Sequence, residues 1–480
     1  MVPATAECSG VGCAFETLAG VRFNRSESPM NEGSLKAPER HNIPWEDPNW
    51  LDPVQLDAEL RRVFDLCHTC RRCFNLCESF PRLFDLIDES PTGELDEVKS
   101  DQFGPVIEAC TLCDMCFMTK CPYVPPHEWN IDFPHLMLRA RAAEVKKGES
   151  NWTARQLAEM DRNGRLAGAV APLANWGTRR TNKLTRPLLE KTLGIDRDAE
   201  LPKFAGKTLM KRARKQKHAP NSAAPAFGKR KAVLFATCFV NFNKPETGEA
   251  ALAVLNKLGI ETKVDYPGCC GMPFLEQAEL DRVAEQARTV AAALRPLIDA
   301  GYDVITPTAS CGLMFKFEWP LIVPGDENVK ALSKATFDID EYVVDVAKKH
   351  GLPDGLKPIE GGVTVHLACH ARAQNVGAKA ADMLRLIPGQ KVDIIERCAG
   401  HGGTFGVLKE TRVCATKVGT PAFRTALKTN NAHLVSDCPL AASHLVAGTQ
   451  ELARSKGETA NVRVPEHPIE LLAAAYGLQG

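Results

Sequence analysis

From Asp52-Pro53 onward, apolar residues recur every three to four positions (Leu56, Leu60, Val63, Phe64), which predicts an amphipathic helix opened by an Asp cap and a first-turn proline. Leu83 to Ile87 and Gln102 to Ala109 also read as helical. Further on the period changes. Short apolar runs at 233–236, 262–266 and 303–306 predict strands, and one intervening helix carries Leu280, Val283, Ala287, Val290, Leu294 and Leu297 on a single face. Strands alternating with helices predict a parallel sheet covered by helices. Residues up to about Trp50 are poor in apolar side chains and read as a mobile tail containing Cys8 and Cys13. Met30 opens a polar Met-Asn-Glu-Gly-Ser stretch that would also serve as a start, and Cys8 and Cys13 would then be lost.

The pattern also repeats. Val233–Cys238 matches 363–369, Cys269-Cys270-Gly271 matches Cys398-Ala399-Gly400, and Cys311–Met314 matches Cys438–Ala441, at offsets of 131, 129 and 127 residues. In each copy the cysteines come just after predicted strands. They therefore gather at the carboxyl ends of adjacent parallel strands, where open α/β sheets bind ligands.

A chain of 480 residues suits about three domains of roughly 100–200 residues each. With 59 basic and 59 acidic side chains the formal charge is zero, which gives no support for a nucleic-acid binder. Eighteen cysteines and no signal peptide point to a reducing, cytoplasmic setting. No apolar run reaches the roughly eighteen residues needed to span a bilayer. Lys203 to Lys231 carries ten basic residues and no acid. It reads as a solvated linker or as a docking patch for an acidic partner or an anionic membrane surface, and nucleic acid is disfavoured because no aromatic residues interleave the main cluster of charges.

The chemistry lies in two cysteine runs, Cys67-x-x-Cys70-x-x-Cys73-x-x-x-Cys77 and Cys110-x-x-Cys113-x-x-Cys116-x-x-x-x-Cys121-Pro122. Three thiols at three-residue spacing wrap one corner of an iron–sulfur cube, and the fourth in each run serves the other cluster. The expected sets are Cys67, Cys70, Cys73 and Cys121 for one [4Fe–4S] cluster and Cys110, Cys113, Cys116 and Cys77 for the second. Zinc calls for four ligands in two separated pairs, and a disulfide framework suits small secreted domains. With four cysteines already in place, His68 is not needed as a ligand. Phe74, Leu76, Leu112, Met115, Phe117 and Met118 are placed to keep water from the sulfurs. Arg71 and Arg72 would favour a reduced cluster or serve in partner docking. Cys414, in an apparent helix, reads as a buried small hydrophobe.

These motifs, with Asn241-Phe242-Asn243 after Cys238, Gly402 to Gly406 and the closing His467-Pro-Ile-Glu-Leu-Leu, resemble a family of iron–sulfur subunits. It includes the C subunit of anaerobic glycerol-3-phosphate dehydrogenase and is related to heterodisulfide reductases, and the resemblance covers about residues 50 to 475. It implies a multidomain α and α/β protein: a helical two-[4Fe–4S] ferredoxin-type domain followed by two tandem parallel-sheet CCG domains. The boundaries expected are a tail over 1–50, the ferredoxin-type domain over 51–147, a basic connector over 148–230, and CCG domains over 231–355 and 356–480.

The resemblance also implies an electron-transfer subunit between a flavoprotein dehydrogenase and a quinone or redox-protein acceptor. Contact with the inner face of the membrane would be peripheral, through the basic connector. Thiol–disulfide reduction at the CCG sites, electron delivery to a rubrerythrin-like peroxide scavenger, and a non-redox metal scaffold are the alternatives. The full CCG pattern has five cysteines. The first copy has four (Cys238, Cys269, Cys270, Cys311) with Met314 at the fifth position, enough for a third, cubane cluster, with buried thiols as the alternative. The second keeps Cys369, Cys398 and Cys438 and is expected to be empty or atypical, unless His370 or His401 substitutes or an iron stays open. The glycines of 400–406 lack the lysine of a phosphate loop, and no dinucleotide fingerprint is present, so neither flavin nor nicotinamide is expected here.

Overall fold

The computed structural model describes residues 36–215 and 219–478, so Cys8, Cys13 and Met30 lie outside the described residues. From 53 to 147 the chain is helical and contains no strand. The helix Pro53–Cys70 starts where the Asp52 carboxylate accepts from Gln55 N at 2.9 Å and buries Leu56, Leu60, Val63 and Phe64. It packs against Ser79–Asp88 and Phe133–Lys147, through a core of Phe64, Phe80, Phe103 and Phe133. Ring centroids of Phe80 and Phe133 are 4.7 Å apart, and those of Phe64 and Phe103 5.1 Å.

Two parallel sheets follow. The first comprises β1 (Lys231–Phe235), β2 (Glu261–Asp265), β3 (Tyr302–Thr306) and β4 (Thr336–Asp338) in the order β2-β1-β3-β4, with Val233 paired to Lys263 on one side and Val304 on the other. The second comprises β5 (Val363–His366), β6 (Val392–Ile395) and β7 (His433–Ser436) in the order β6-β5-β7. In both, the chain leaves the central strand for one neighbour and then crosses to the other, so each sheet has a switch point beside its central strand. The helix Leu280–Asp299 covers the first sheet and buries Leu280, Val283, Ala287, Val290 and Leu294. The repeats share one core, in which the helices Pro245–Lys257 and Pro468–Ala475 join Leu234, Ile305, Val363 and Val365.

Two segments differ from the sequence expectation. Residues 36–50, expected as mobile tail, are held in place. Ile43 is buried and its amide donates to Leu321 O at 2.9 Å, while Trp45 Nε1 donates to Ile322 O at 2.9 Å. The connector is also folded, with helices Trp152–Ala158, Met160–Ala169, Ala171–Thr178, Thr185–Leu193 and Leu209–Ala213. Small residues admit it: Gly164 sits against the Phe242 ring, and fully buried Leu209 fills the space left by Gly248, a burial that contributes about 1.5–3 kcal/mol. Arg186 is buried and donates to the carbonyls of Asp196 and Ala199, both at 2.7 Å. Within the basic stretch, Arg212 pairs with Glu249 at 2.8 Å and Glu246 at 2.9 Å.

Candidate metal centres

Helix endings and left-handed turns gather the first two thiol sets. Pro53–Cys70 stops inside the first run because Arg71 turns left-handed (φ 50°), and the Cys110–Cys116 loop takes the same conformation twice, at Leu112 (φ 48°) and Asp114 (φ 62°). Such turns aim backbone amides inward. The amide of Leu112 donates to the Cys110 sulfur, that of Met115 to Cys113, those of Ser79 and Phe80 to Cys77, and that of Tyr123 to Cys121.

All the described cysteines are free. Burial pushes the thiols up, Cys73 and Cys113 to about 12 and Cys121 to about 11. Neighbouring thiolates add to the effect. Cys121, Cys73 and Cys70 act on Cys67, while Cys113 and Cys110 act on both Cys77 and Cys116. The structure thus brings together Cys67, Cys70, Cys73 and Cys121, and likewise Cys77, Cys110, Cys113 and Cys116. Among the described residues no three Cys, His, Asp or Glu side chains close on a single ion. Soft thiols that are buried (Cys110, Cys116) or half-buried, repel one another and have amide donors at several of their sulfurs fit a cationic multi-iron group, whose charge would let them ionise. Phe74, expected to shield sulfur, is 56% exposed, whereas Leu112, Met115 and Phe117 are buried. His68 bonds Asp88 at 2.9 Å and Arg71 donates to the same carboxylate, so both are engaged away from the sulfurs.

In the first repeat Cys238, Cys269–Cys270 and Cys311 follow β1, β2 and β3 and converge at the switch point. They form a chain of contacts: Cys238 with Cys269, Cys269 with Cys270, and Cys270 with Cys311 at 3.2 Å between sulfurs. Fully buried Trp319 donates from Nε1 to Cys270 O at 3.0 Å, fixing the Cys-Cys turn. Asp161 from the connector accepts from Cys269 N at 3.3 Å and from the Tyr266 hydroxyl. Met314 is fully buried among apolar side chains.

In the second repeat Cys369, Cys398 and Cys438 follow β5, β6 and β7 in the same way. Ala399 and Ala441 are buried where the first copy has Cys270 and Met314. His401 Nε2 lies 3.6 Å from Cys438 Sγ, and burial holds its ring neutral with a pKa of about 3. His370 turns elsewhere, with Nδ1 at 3.0 Å from Ser310 Oγ, and its Nε2 is buried without a protein partner. Cys113 acts on Cys369, and Cys398 acts on Cys113, so this site adjoins the second thiol set. Cys414 is half-buried, not fully buried as expected, because its helix Lys409–Thr429 turns it toward Arg82 and Lys417.

Sequence reasoning missed three groups. Arg40 reaches Asp114 (2.7 Å), Asp132 (3.0 Å) and Glu318 (2.9 Å) at once. Asp161 braces Cys269. The third, Glu276, is half-buried against Gly403 of the second repeat, with the Arg141 guanidinium as its charged neighbour. No local motif marks any of them. Burial raises the Glu276 carboxyl from 4.5 to about 7, only partly offset by Arg141. A carboxyl raised in the folded state holds its proton there after the unfolded chain has lost it. Its contribution is therefore complete below about pH 4.5 and declines up to about pH 7, by about 3 kcal/mol. Thermal midpoints at pH 5 and pH 8 should differ less in Glu276→Gln than in the parent, and equal pH dependence in the two would refute the assignment.

A profile for a cysteine-rich domain of the CCG family matches residues 232–316. The chain is 28% identical over 325 residues to the C subunit of anaerobic glycerol-3-phosphate dehydrogenase from Escherichia coli K12, covering 66% of this chain and 76% of that protein. It is 32% identical over 189 residues to lactate utilization protein A of Geobacillus kaustophilus, covering 37% of this chain and 74% of that one.

Proposed function

We propose that this chain, an iron–sulfur subunit similar to the C subunit of anaerobic glycerol-3-phosphate dehydrogenase and to lactate utilization protein A, relays single electrons through two [4Fe–4S] clusters, held by Cys67, Cys70, Cys73 and Cys121 and by Cys77, Cys110, Cys113 and Cys116. The donor is a flavoprotein dehydrogenase subunit, and the acceptor a quinone or a redox protein. One observation carries this reading: the thiol sets are contiguous. Cys73 acts on Cys116 across the first two sets, and Cys113 lies beside Cys369 and Cys398 of the second repeat. An iron–sulfur cube, when bound, supplies one-electron storage. The chain's own residues supply the rest. Backbone amides at Cys77, Cys110, Cys113 and Cys121 stabilise negative sulfur, and Leu112, Met115 and Phe117 exclude water.

Peripheral membrane contact belongs to the same proposal. The connector exposes Leu166, Val170, Leu173, Trp176, Leu184 and Leu188, and the basic Arg162, Arg165, Arg179 and Lys183 lie among them, the composition of an interfacial surface. Among the described residues no helix is long and apolar enough to cross a membrane. The close Cys270–Cys311 contact favours a second reading, thiol–disulfide exchange in the first repeat.

An anaerobic reductive titration separates the two readings. The relay takes up at least about two electrons per chain in single steps, about one fewer in Cys113→Ala, and an unchanged number in Cys414→Ala. Uptake only in pairs, lost in Cys270→Ser and untouched by Cys113→Ala, would overturn the relay in favour of thiol chemistry.

A further inference from the structure

Between the two repeats runs a cleft with no part in the relay described so far. Its outer cavity, about 360 Å³, is lined by Lys203, Lys244, Val446 and Arg463 among others, and it shares Leu201, Phe239, Ser443 and Ala447 with an inner cavity of about 190 Å³. Together they fall in the range of small-molecule sites, roughly 300–1,000 Å³. The inner cavity is mostly apolar, with Leu157, Met160, Leu201, Phe239, Phe423 and Leu440 in its wall. Its few polar groups include His401, which touches Cys438, and Glu276. Glu276 also lines a third cavity, of about 200 Å³, with Glu108, Glu144 and Glu410, three side chains that are partly or fully exposed to solvent. One half-buried carboxyl thus stands between an apolar chamber and a wet acidic one. Opposite it is Gly403, where a Cβ would fall on the Glu276 carboxyl. The chamber abuts the last thiol site in the contiguous series, because Cys438 acts on Cys369, which lies beside Cys113.

A ligand for this chamber must be largely apolar to match its walls. It must also be reducible, since it lies beside the end of an electron path, and must take up protons as it is reduced, since an acid and a proton route meet it. We propose that the cleft is the acceptor site, that the inner chamber takes the ring of a quinone, and that Glu276 hands that ring its protons. This rests on the relay reading above and goes beyond it by assigning the exit. Two electrons reach the ring singly from the iron–sulfur relay. Each carbonyl C=O becomes C–O–H, with the proton leaving the Glu276 O–H and being replaced from water in the acidic chamber. One quinone, two electrons and two protons give one quinol. Arg141, Glu200, His401, Arg412, His444 and Glu451 are the other charged or titratable groups around the carboxyl and the chamber, and His401 and His444 are held neutral by burial.

Menadione and ferricyanide separate the possibilities, used with the full chain loaded with iron. The oxidised chain should bind menadione by calorimetry. Ala447→Trp, in the throat shared by the two cavities, should weaken that binding by about tenfold or more. Glu276→Gln should leave binding nearly unchanged and slow menadione reduction by about a hundredfold, the size of a lost general acid. Ferricyanide takes no proton, so its reduction should match the parent in Glu276→Gln. Ser443→Phe narrows the same throat and replaces Ala447→Trp if the latter loses iron. Parental menadione binding in a loaded throat variant, or a parental menadione rate in Glu276→Gln, would overturn the proposal. A parent chain that binds menadione but reduces neither acceptor would sink the relay reading while leaving the site standing.

Discussion

Alanine at Cys116 should strip about four irons from each chain and stop electron passage from the first thiol set to the second repeat. Cys116 is fully enclosed and carries the charge of four neighbouring thiols, Cys113, Cys110, Cys73 and Cys77. It therefore stands where the first two sets meet. Cys414 does not stand in for it, since its side chain lies toward Arg82 and Lys417. Three remaining thiols around a void that their helices cannot close would hold a cube poorly. Iron analysis and the reduced-state EPR spectrum check this, with the set around Cys67 keeping its signal. A variant with full iron and parental electron uptake would remove Cys116 from the relay.

Methionine at Arg40 should cost about 3–5 kcal/mol, the penalty for leaving buried charges without their partner. The guanidinium is the only arginine or lysine paired with Asp114, Asp132 or Glu318 among the described residues, and it also lies 4.4 Å from the Phe117 ring centroid. His135, bonded to Glu318 at 3.2 Å, is too little to replace it. Asp114 belongs to the Cys110–Cys116 loop and Glu318 to the first repeat, so the loss should also loosen the seam between them. Acid should narrow the deficit, because protonated carboxyls no longer repel. Chemical denaturation of the parent and Arg40→Met at pH 5 and pH 8 tests both points. A deficit under about 1 kcal/mol at pH 8 would show that the network is dispensable.

The same network shows where reading the sequence ends. The two sets of four cysteines are legible because ligand spacing is local, and three thiols three residues apart curl around one centre in any fold. The tandem sheets are legible because each cysteine segment follows closely on an apolar run, and parallel topology brings such segments to one edge. Arg40 is not legible. It lies in a stretch whose low apolar content suggests disorder, and its partners are 74, 92 and 278 residues away. The connector misleads for a related reason. Its charges suggest solvent, but it is fastened by Leu209, Gly164 and Arg186, single residues that matter only because of the surfaces they meet. Glu276 and the cleft are invisible to any local pattern, since the chamber is made by the meeting of two repeats and a connector.

The second repeat is the instructive case. Having lost two thiols, it reads from sequence as the degenerate copy, yet it is the one whose cysteines adjoin the second set. Four thiols linked in a chain of contacts make the first copy the richer donor set. Position favours the second copy as the route outward.

Iron and acid-labile sulfide per chain, measured after strictly anaerobic purification together with EPR of the reduced protein, decide whether two clusters sit in the paired thiol sets. Two occupied sets give at least about eight irons and eight sulfides with two interacting [4Fe–4S] signals, and about four more irons for each loaded repeat. A chain carrying zinc in place of iron, or about four irons or fewer with a single isolated signal, would contradict that occupancy.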